Sequence, residues 1–254
     1  MTSRLALGAI LAMLALPAPA ATCAARSGAE RAALLELYTS EGCSSCPPAD
    51  RWFSRLPLAD PATPVVPLAF HVEYWDYIGW KDRFASPAWS ARQREAVRRA
   101  GGRTVYTPQV MRNGRDFPRW HAGGALGKAA AADVAPRARI ALGLSPGPAG
   151  IAVQAEAATL GAEPGRGELF LALTESRLAS QVRAGENRGR DLSHDHVVRR
   201  LVALGPVEAG GGVFRHDFVL GADWKRADLA VSAFVQDART GEVLQALRLA
   251  SCAG

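Results

Sequence analysis

The sequence predicts an α/β unit followed by an all-β region, and three observations carry that expectation. Apolar runs alternate with helix signals through the first half of the chain. The pair Cys43-Ser44-Ser45-Cys46 stands between a strand-like run and a helix start. After Pro136 the pattern changes to short apolar segments separated by Gly- and Pro-rich turns.

Residues 32–39 read as a buried strand, because six of the eight are apolar and no helical period is present. Residues 48–56 read as a helix with Trp52, Phe53 and Leu56 on its core side. Residues 65–72 form the next strand, bounded by Pro61, Pro64 and Glu73, and the continuous apolar run fits a parallel strand covered on both faces. Residues 74–84 are aromatic-rich without a period and read as an ordered insertion. Ser86-Pro87 opens a helix that runs through Arg99 and stops at Gly101-Gly102. Residues 105–111 read as a strand, Asn113-Gly114 as a hairpin turn, and Asp116 and Phe117 as the return. Alanine-rich residues 122–132 read as a helix. Strand candidates follow at 140–144, 151–155, 168–174, 197–204, 213–220, 229–236 and 243–249. The expected division is 1–20 as a leader, 30–135 as the α/β domain and 138–250 as a β-sandwich-like domain, with a boundary near 134–138.

The leader is read from Arg4, the apolar run 5–16 and Pro17-Ala18-Pro19-Ala20-Ala21, with cleavage after Ala20. The apolar run is too short to span a bilayer, and no later segment offers a membrane span. A periplasmic or secreted protein is expected. The formal charge of +6 comes from scattered basic residues, which argues against a nucleic-acid footprint. The densest basic stretch, 92–99, reads as a solvated helix face. Cys23 and Cys252 lie near the two ends of the mature chain, where a bond between them would close a very long loop.

The close cysteine pair carries the chemistry. Thiol-disulfide exchange needs an attacking thiolate, a resolving thiol within reach and an open surface that admits another disulfide, so an accessible pair is expected. Cys43, standing first and beside Gly42, is the expected attacker, and a helix N-terminus favours its thiolate. Cys46, one turn inward, is the expected resolver. Glu41 opposes thiolate formation. Thr107-Pro108 opens a strand edge, which fits either a turn or a cis bond, and a cis bond would present backbone groups to a bound chain.

Residues 37–50, Leu-Tyr-Thr-Ser-Glu-Gly-Cys-Ser-Ser-Cys-Pro-Pro-Ala-Asp, resemble the signature of an exported bacterial family catalogued as domain of unknown function 1223. Tyr106-Thr107-Pro108-Gln109-Val110 with Asn113-Gly114-Arg115 resembles its second signature. Gly185-Glu186-Asn187, Gly189-Arg190 and residues 194–199 resemble a third. The resemblance implies an α/β thioredoxin-like core followed by a C-terminal all-β, sandwich-like region. It also implies Cys43 as nucleophile, Cys46 as resolver and Pro108 as a cis-proline. This chain departs from the familiar redox motif, since no Trp precedes Cys43 and two serines stand between the cysteines.

The expected function is a periplasmic thiol-disulfide oxidoreductase acting on protein thiols or disulfides, with no cofactor. Two readings stand beside it. Cys43, Cys46 and His71 would suit Cu(I) in a non-enzymatic copper-binding protein, and a structural disulfide would suit a binding module. Other residues carry paired readings. His194 and His196 share a face if they lie on a strand. Residues 186–190 form either a recognition loop or a hydrogen-bonding scaffold. Tyr74, Trp75, Tyr77 and Trp80 line a groove or pack.

Overall fold

A computed structural model describes residues 23–58, 64–122, 135–161 and 166–252. The leader and nearly all of the helix expected at 122–132 lie outside the described residues. Among the described residues 46% are strand and 14% are helix, so the architecture is a predominantly β, sandwich-like one. This corrects the expected α/β thioredoxin-like core followed by a separate all-β region. The physical reason is that the helices are few and short, while strands from both halves of the chain join one sheet.

That sheet holds eight strands. In its first half, β2 (Ala33–Thr39) pairs in parallel with β3 (Val65–His71) and antiparallel with β4 (Gln109–Arg112), which turns into β5 (Arg115–Asp116). The second half adds β8 (Gly167–Glu175), β11 (Val197–Val207), β13 (Leu229–Asp237) and β14 (Val243–Ala250). The strand order is β14-β13-β8-β11-β3-β2-β4-β5. The junction is made by β11, whose Val197 pairs with Ala69 of β3 while the Ala69 N–H donates to the His196 carbonyl at 2.8 Å. Pro67, two residues earlier on β3, lacks an N–H, and on that side β11 offers no ladder partner at its level. A proline is therefore tolerated inside a fully buried strand.

A second sheet, ordered β1-β6-β7-β12, comprises β1 (Cys23–Arg26), β6 (Ala138–Pro146), β7 (Gly150–Thr159) and β12 (Gly212–Val219). Its inward residues Ile140, Leu142, Ile151 and Val153 pack on Leu169, Leu171, Val231 and Val235 of the large sheet, forming the sandwich core. A separate two-stranded ribbon pairs β9 (Leu178–Gln181) with β10 (Asp191–His194). The sequence reading lacks β1, β9 and β10, which are four residues each and carry no clear apolar run.

Two helices cover opposite faces of the first half of the large sheet. The helix α1 (Pro47–Phe53) packs Ala49 and Phe53 on Leu35, Leu37 and Val110. On the other face, α2 (Pro87–Arg99) starts at the Ser86 cap, whose hydroxyl accepts from the Ala88 N–H at 3.3 Å. It ends where Gly101 takes φ +81°. The basic stretch splits by face. Arg98 and Arg99 pair outward with Glu95, whereas Arg92 turns inward onto Glu36 at 2.6 Å and lies over Phe70, Phe170 and Phe234. The expected solvated face is thus only half of that helix. Among the described residues no helix is long and apolar enough to cross a membrane.

The β4–β5 hairpin turns on Asn113 and Gly114, both at positive φ. The Asn113 side chain accepts from the Leu34 N–H at 2.8 Å, which locks the turn onto β2. A Cβ on Gly114 would collide with the Gly241 carbonyl. Gly114→Ala is expected to cost about 2 kcal/mol or more, from the left-handed backbone and this contact together. Urea unfolding checks it, and a loss of a few tenths of a kcal/mol would contradict the close approach.

Candidate functional site

The turn between β2 and α1 carries the cysteine pair. Cys43 and Cys46 are joined as a disulfide with Cα atoms 5.4 Å apart, and Cys46 is the N-cap of α1. Pro47 sits at the first helical position, where a missing N–H costs nothing. Cys43 Sγ lies 3.3 Å from the Ser45 hydroxyl. Both cysteines are 0% exposed, although Ser44 and Ser45 between them face solvent. The expected open disulfide is therefore corrected to a covered one.

The 185–190 loop is hydrogen-bonded across this turn. The Asn187 side-chain amide donates to the carbonyls of Glu41 (2.8 Å) and Cys43 (2.9 Å), and the Glu186 carboxylate accepts from the Ser44 N–H at 3.0 Å. That hydrogen bonding, led by Ser44, holds the Glu186 carboxyl below its usual range. Gly185 has φ +70° and its position is closed off by Ile78, so the loop approaches through a glycine. Of the two readings of this loop, the geometry matches a scaffold bonded to the cysteine turn.

Beneath the disulfide lies a buried titratable cluster. Asp50, one turn after Cys46, accepts from the Thr39 hydroxyl at 3.2 Å, and burial pushes its carboxyl up despite His194 and His71 nearby. His71 Nδ1 lies 2.7 Å from Asp82. Burial disfavours the charged imidazole, but Asp82 more than offsets it and raises His71. Asp82 is held low by the same partner and by the N–H groups of Glu41 and Phe84, against the effect of burial. Glu41 behaves alike: burial raises it, while hydrogen bonding to His194, Ser180 and Trp80 brings it below its usual range. The rings of His71 and His194 meet edge to face at 4.8 Å. His71 Nε2 and His194 Nδ1 are buried without a hydrogen-bond partner, while His194 Nε2 faces the Glu41 carboxylate at 3.4 Å.

The Thr107–Pro108 bond is cis, as the family resemblance implies. Trp75 joins that loop to the cysteine turn, since its indole donates to the Thr107 hydroxyl at 2.8 Å while its Cβ abuts Gly42. Trp80 donates to Glu41 at 2.7 Å and Tyr74 to Gln93 at 3.1 Å, so these aromatics pack with their polar tips bonded. Tyr77 alone of the four faces outward, 82% exposed. His194 and His196 do not act together. His196 leaves the strand at φ 59°, lies 6.1 Å from Phe53, and burial beside Arg248 lowers it to about 4. Glu41, Asp50, Asp82 and Asn187 are members that sequence reading did not combine into one site. No local signal marked them, because Glu41, Asp82 and Asn187 stand among polar or charged neighbours in the sequence.

With both sulfurs bonded, the thiolates of the copper reading are engaged. Among the described residues no group of three or more His, Cys, Asp and Glu side chains is arranged to hold a metal ion. The second disulfide joins Cys23 to Cys252, with Cα atoms 5.9 Å apart.

Two solved structures share this fold. The crystal structure of protein AGR_C_4864 from Agrobacterium tumefaciens is 23% identical with a TM-score of 0.65, covering 89% of this chain and 96% of that one. HBP35 of Porphyromonas gingivalis is 16% identical with a TM-score of 0.65, covering 88% of this chain and 76% of that one. No curated protein matches the chain. The family described as "Protein of unknown function (DUF1223)" matches residues 34–236, most of the sequence, and the chain belongs to that family.

Proposed function

We propose that the chain is an exported thiol-disulfide exchange protein whose Cys43–Cys46 pair reacts when the 185–190 loop lifts. The observation that carries this reading is the buried cluster of Asp50, His71, Asp82, Glu41 and His194 under the pair. Burying that many ionisable groups is costly, and holding a turn together does not require it. Exchange does require proton handling. A partner thiolate attacks Cys43 Sγ, the Cys43–Cys46 bond breaks, and Cys46 leaves as a thiolate that takes a proton. Asp50, which holds its proton more readily than a surface carboxyl, is the nearby donor in sequence and helix position. A second partner thiolate then attacks the mixed disulfide and releases Cys43 as a thiolate, which takes the second proton. The partner dithiol has then given two electrons to the pair. The reverse sequence reduces a partner disulfide, and no cofactor enters either direction. Two disulfides and the leader read from the sequence support an extracytoplasmic location.

Full burial of both sulfurs favours a second reading, an inert disulfide in a binding module. One experiment separates the two. Cys46→Ala is expected to trap mixed disulfides with exported proteins, and Cys43→Ala is not. Asn187→Ala removes two of the three hydrogen bonds from that loop to the cysteine turn, each worth about 1 kcal/mol. It is expected to speed native-state reduction by dithiothreitol about tenfold. A pair that resists reduction in both the wild type and Asn187→Ala until the fold melts, with no trapped adducts, means a staple.

A further inference from the structure

A second site lies away from the cysteines, in a cavity of about 360 Å³ between the start of α2, β11 and the segment before the turn at residues 226–228. Three guanidinium groups share its aromatic walls. Arg83 and Arg199 lie over the Phe84 ring at 4.6 and 5.4 Å. Arg199 and Arg200 lie over the Trp224 indole at 4.7 and 4.9 Å. Trp89, half-buried, lines the same cavity, and the N-terminus of α2 adds its positive end there through Ser86.

The charges in this cavity do not cancel. Arg199 is approached by Glu175 at 3.6 Å and by the exposed Asp223 at 4.0 Å. Arg83 donates to the Ala179 carbonyl at 2.8 Å and Arg200 to the Arg199 carbonyl at 2.8 Å. Neither Arg83 nor Arg200 has a carboxylate partner among the described residues. Like charges crowd here, and burial with Arg83 and Arg200 nearby lowers Arg199 even against its two carboxylates. Stacking on rings also fixes the guanidinium planes in advance, so less side-chain freedom is lost when an anion binds.

From this geometry we infer that the cavity binds a small planar organic anion, a ring bearing a phosphate, sulfonate or carboxylate. The guanidinium groups take the anion, and the ring lies against Trp89, since the faces of Phe84 and Trp224 are already covered by arginines. The volume sits at the small end of ligand pockets, which suits a single-ring compound. Arginine is the residue suited to a planar oxyanion, which it can hold through two parallel N–H donors.

Phenyl phosphate is the probe. Its titration is expected to quench tryptophan fluorescence saturably in the millimolar range or below, and added salt is expected to weaken it. Inorganic phosphate is expected to bind about tenfold more weakly for want of the ring, and benzyl alcohol not at all. Arg83→Gln and Arg200→Gln each remove one exposed cation and are expected to weaken phenyl phosphate about tenfold, with an unchanged melting temperature. No saturable binding to the wild type would overturn the inference. So would equal affinity for inorganic phosphate, or a double variant that binds as the wild type does. Phe84 also packs on His71 and His194, so trapping by Cys46→Ala is measured in the Arg200→Gln background to read the cysteine chemistry separately.

Discussion

Replacing Cys23 and Cys252 together by serine is expected to lower stability by about 5 kcal/mol, the largest single effect in this protein. The bond spans a sequence separation of 229 residues, and in the chain-entropy model a loop of that length contributes about 5 kcal/mol through the unfolded state. It also fastens β1 to the end of β14, so the second sheet is closed onto the edge of the large one. Cys43→Ser with Cys46→Ser is the internal control. That bond spans a separation of 3, and the same model gives about 2 kcal/mol. Urea unfolding of the two double variants reads the difference directly. Equal losses would mean that the terminal bond acts through native contacts and not through loop length.

Arg92→Met is expected to cost about 3–5 kcal/mol, as breaking a buried ion pair does when one charge is left behind. The stranded group is Glu36, 1% exposed on a strand buried along its whole length. Tyr38 donates to the same carboxylate at 3.3 Å, but one neutral donor does not replace a guanidinium. Adding Glu36→Leu to Arg92→Met is expected to recover most of the loss, because the desolvated charge is then gone. Thermal melts of the wild type, the single variant and the double variant give this comparison. A double variant as unstable as Arg92→Met would assign the loss to the ring contacts of Arg92 with Phe70, Phe170 and Phe234 instead.

Local signals in the sequence were strong where the physics is local. Ser86-Pro87 fixed the start of α2, because a cap and a pre-set φ act on neighbouring residues alone. Asn113-Gly114 fixed the hairpin for the same reason, through positive φ at both positions. The cysteine pair and the long strands from residue 138 onward were also legible, whereas the cis bond at Pro108 was implied only by the family resemblance. The fold class was not. Strand periodicity says that a run is covered on both faces, and it does not say which sheet the run joins. The pairing of Val197 with Ala69 joins strands of the two expected domains in one sheet, and nothing near either residue announces it.

The same division holds at the site. The bonded pair Cys43 and Cys46 is legible in the sequence alone, since two cysteines three positions apart reach one another through local geometry. Their turn is tied down by Asn187 and Glu186, 144 and 142 positions away, and by the packing of Ile78 on Gly185. Asp50, His71, Asp82 and His194 likewise become one electrostatic cluster only after four separate elements converge. Short-range sterics and capping are written in neighbouring residues, so the chain itself determined its turns, caps and the close cysteine pair. Burial, charge coupling and sheet membership depend on contacts between distant segments, and the tertiary structure alone decided them.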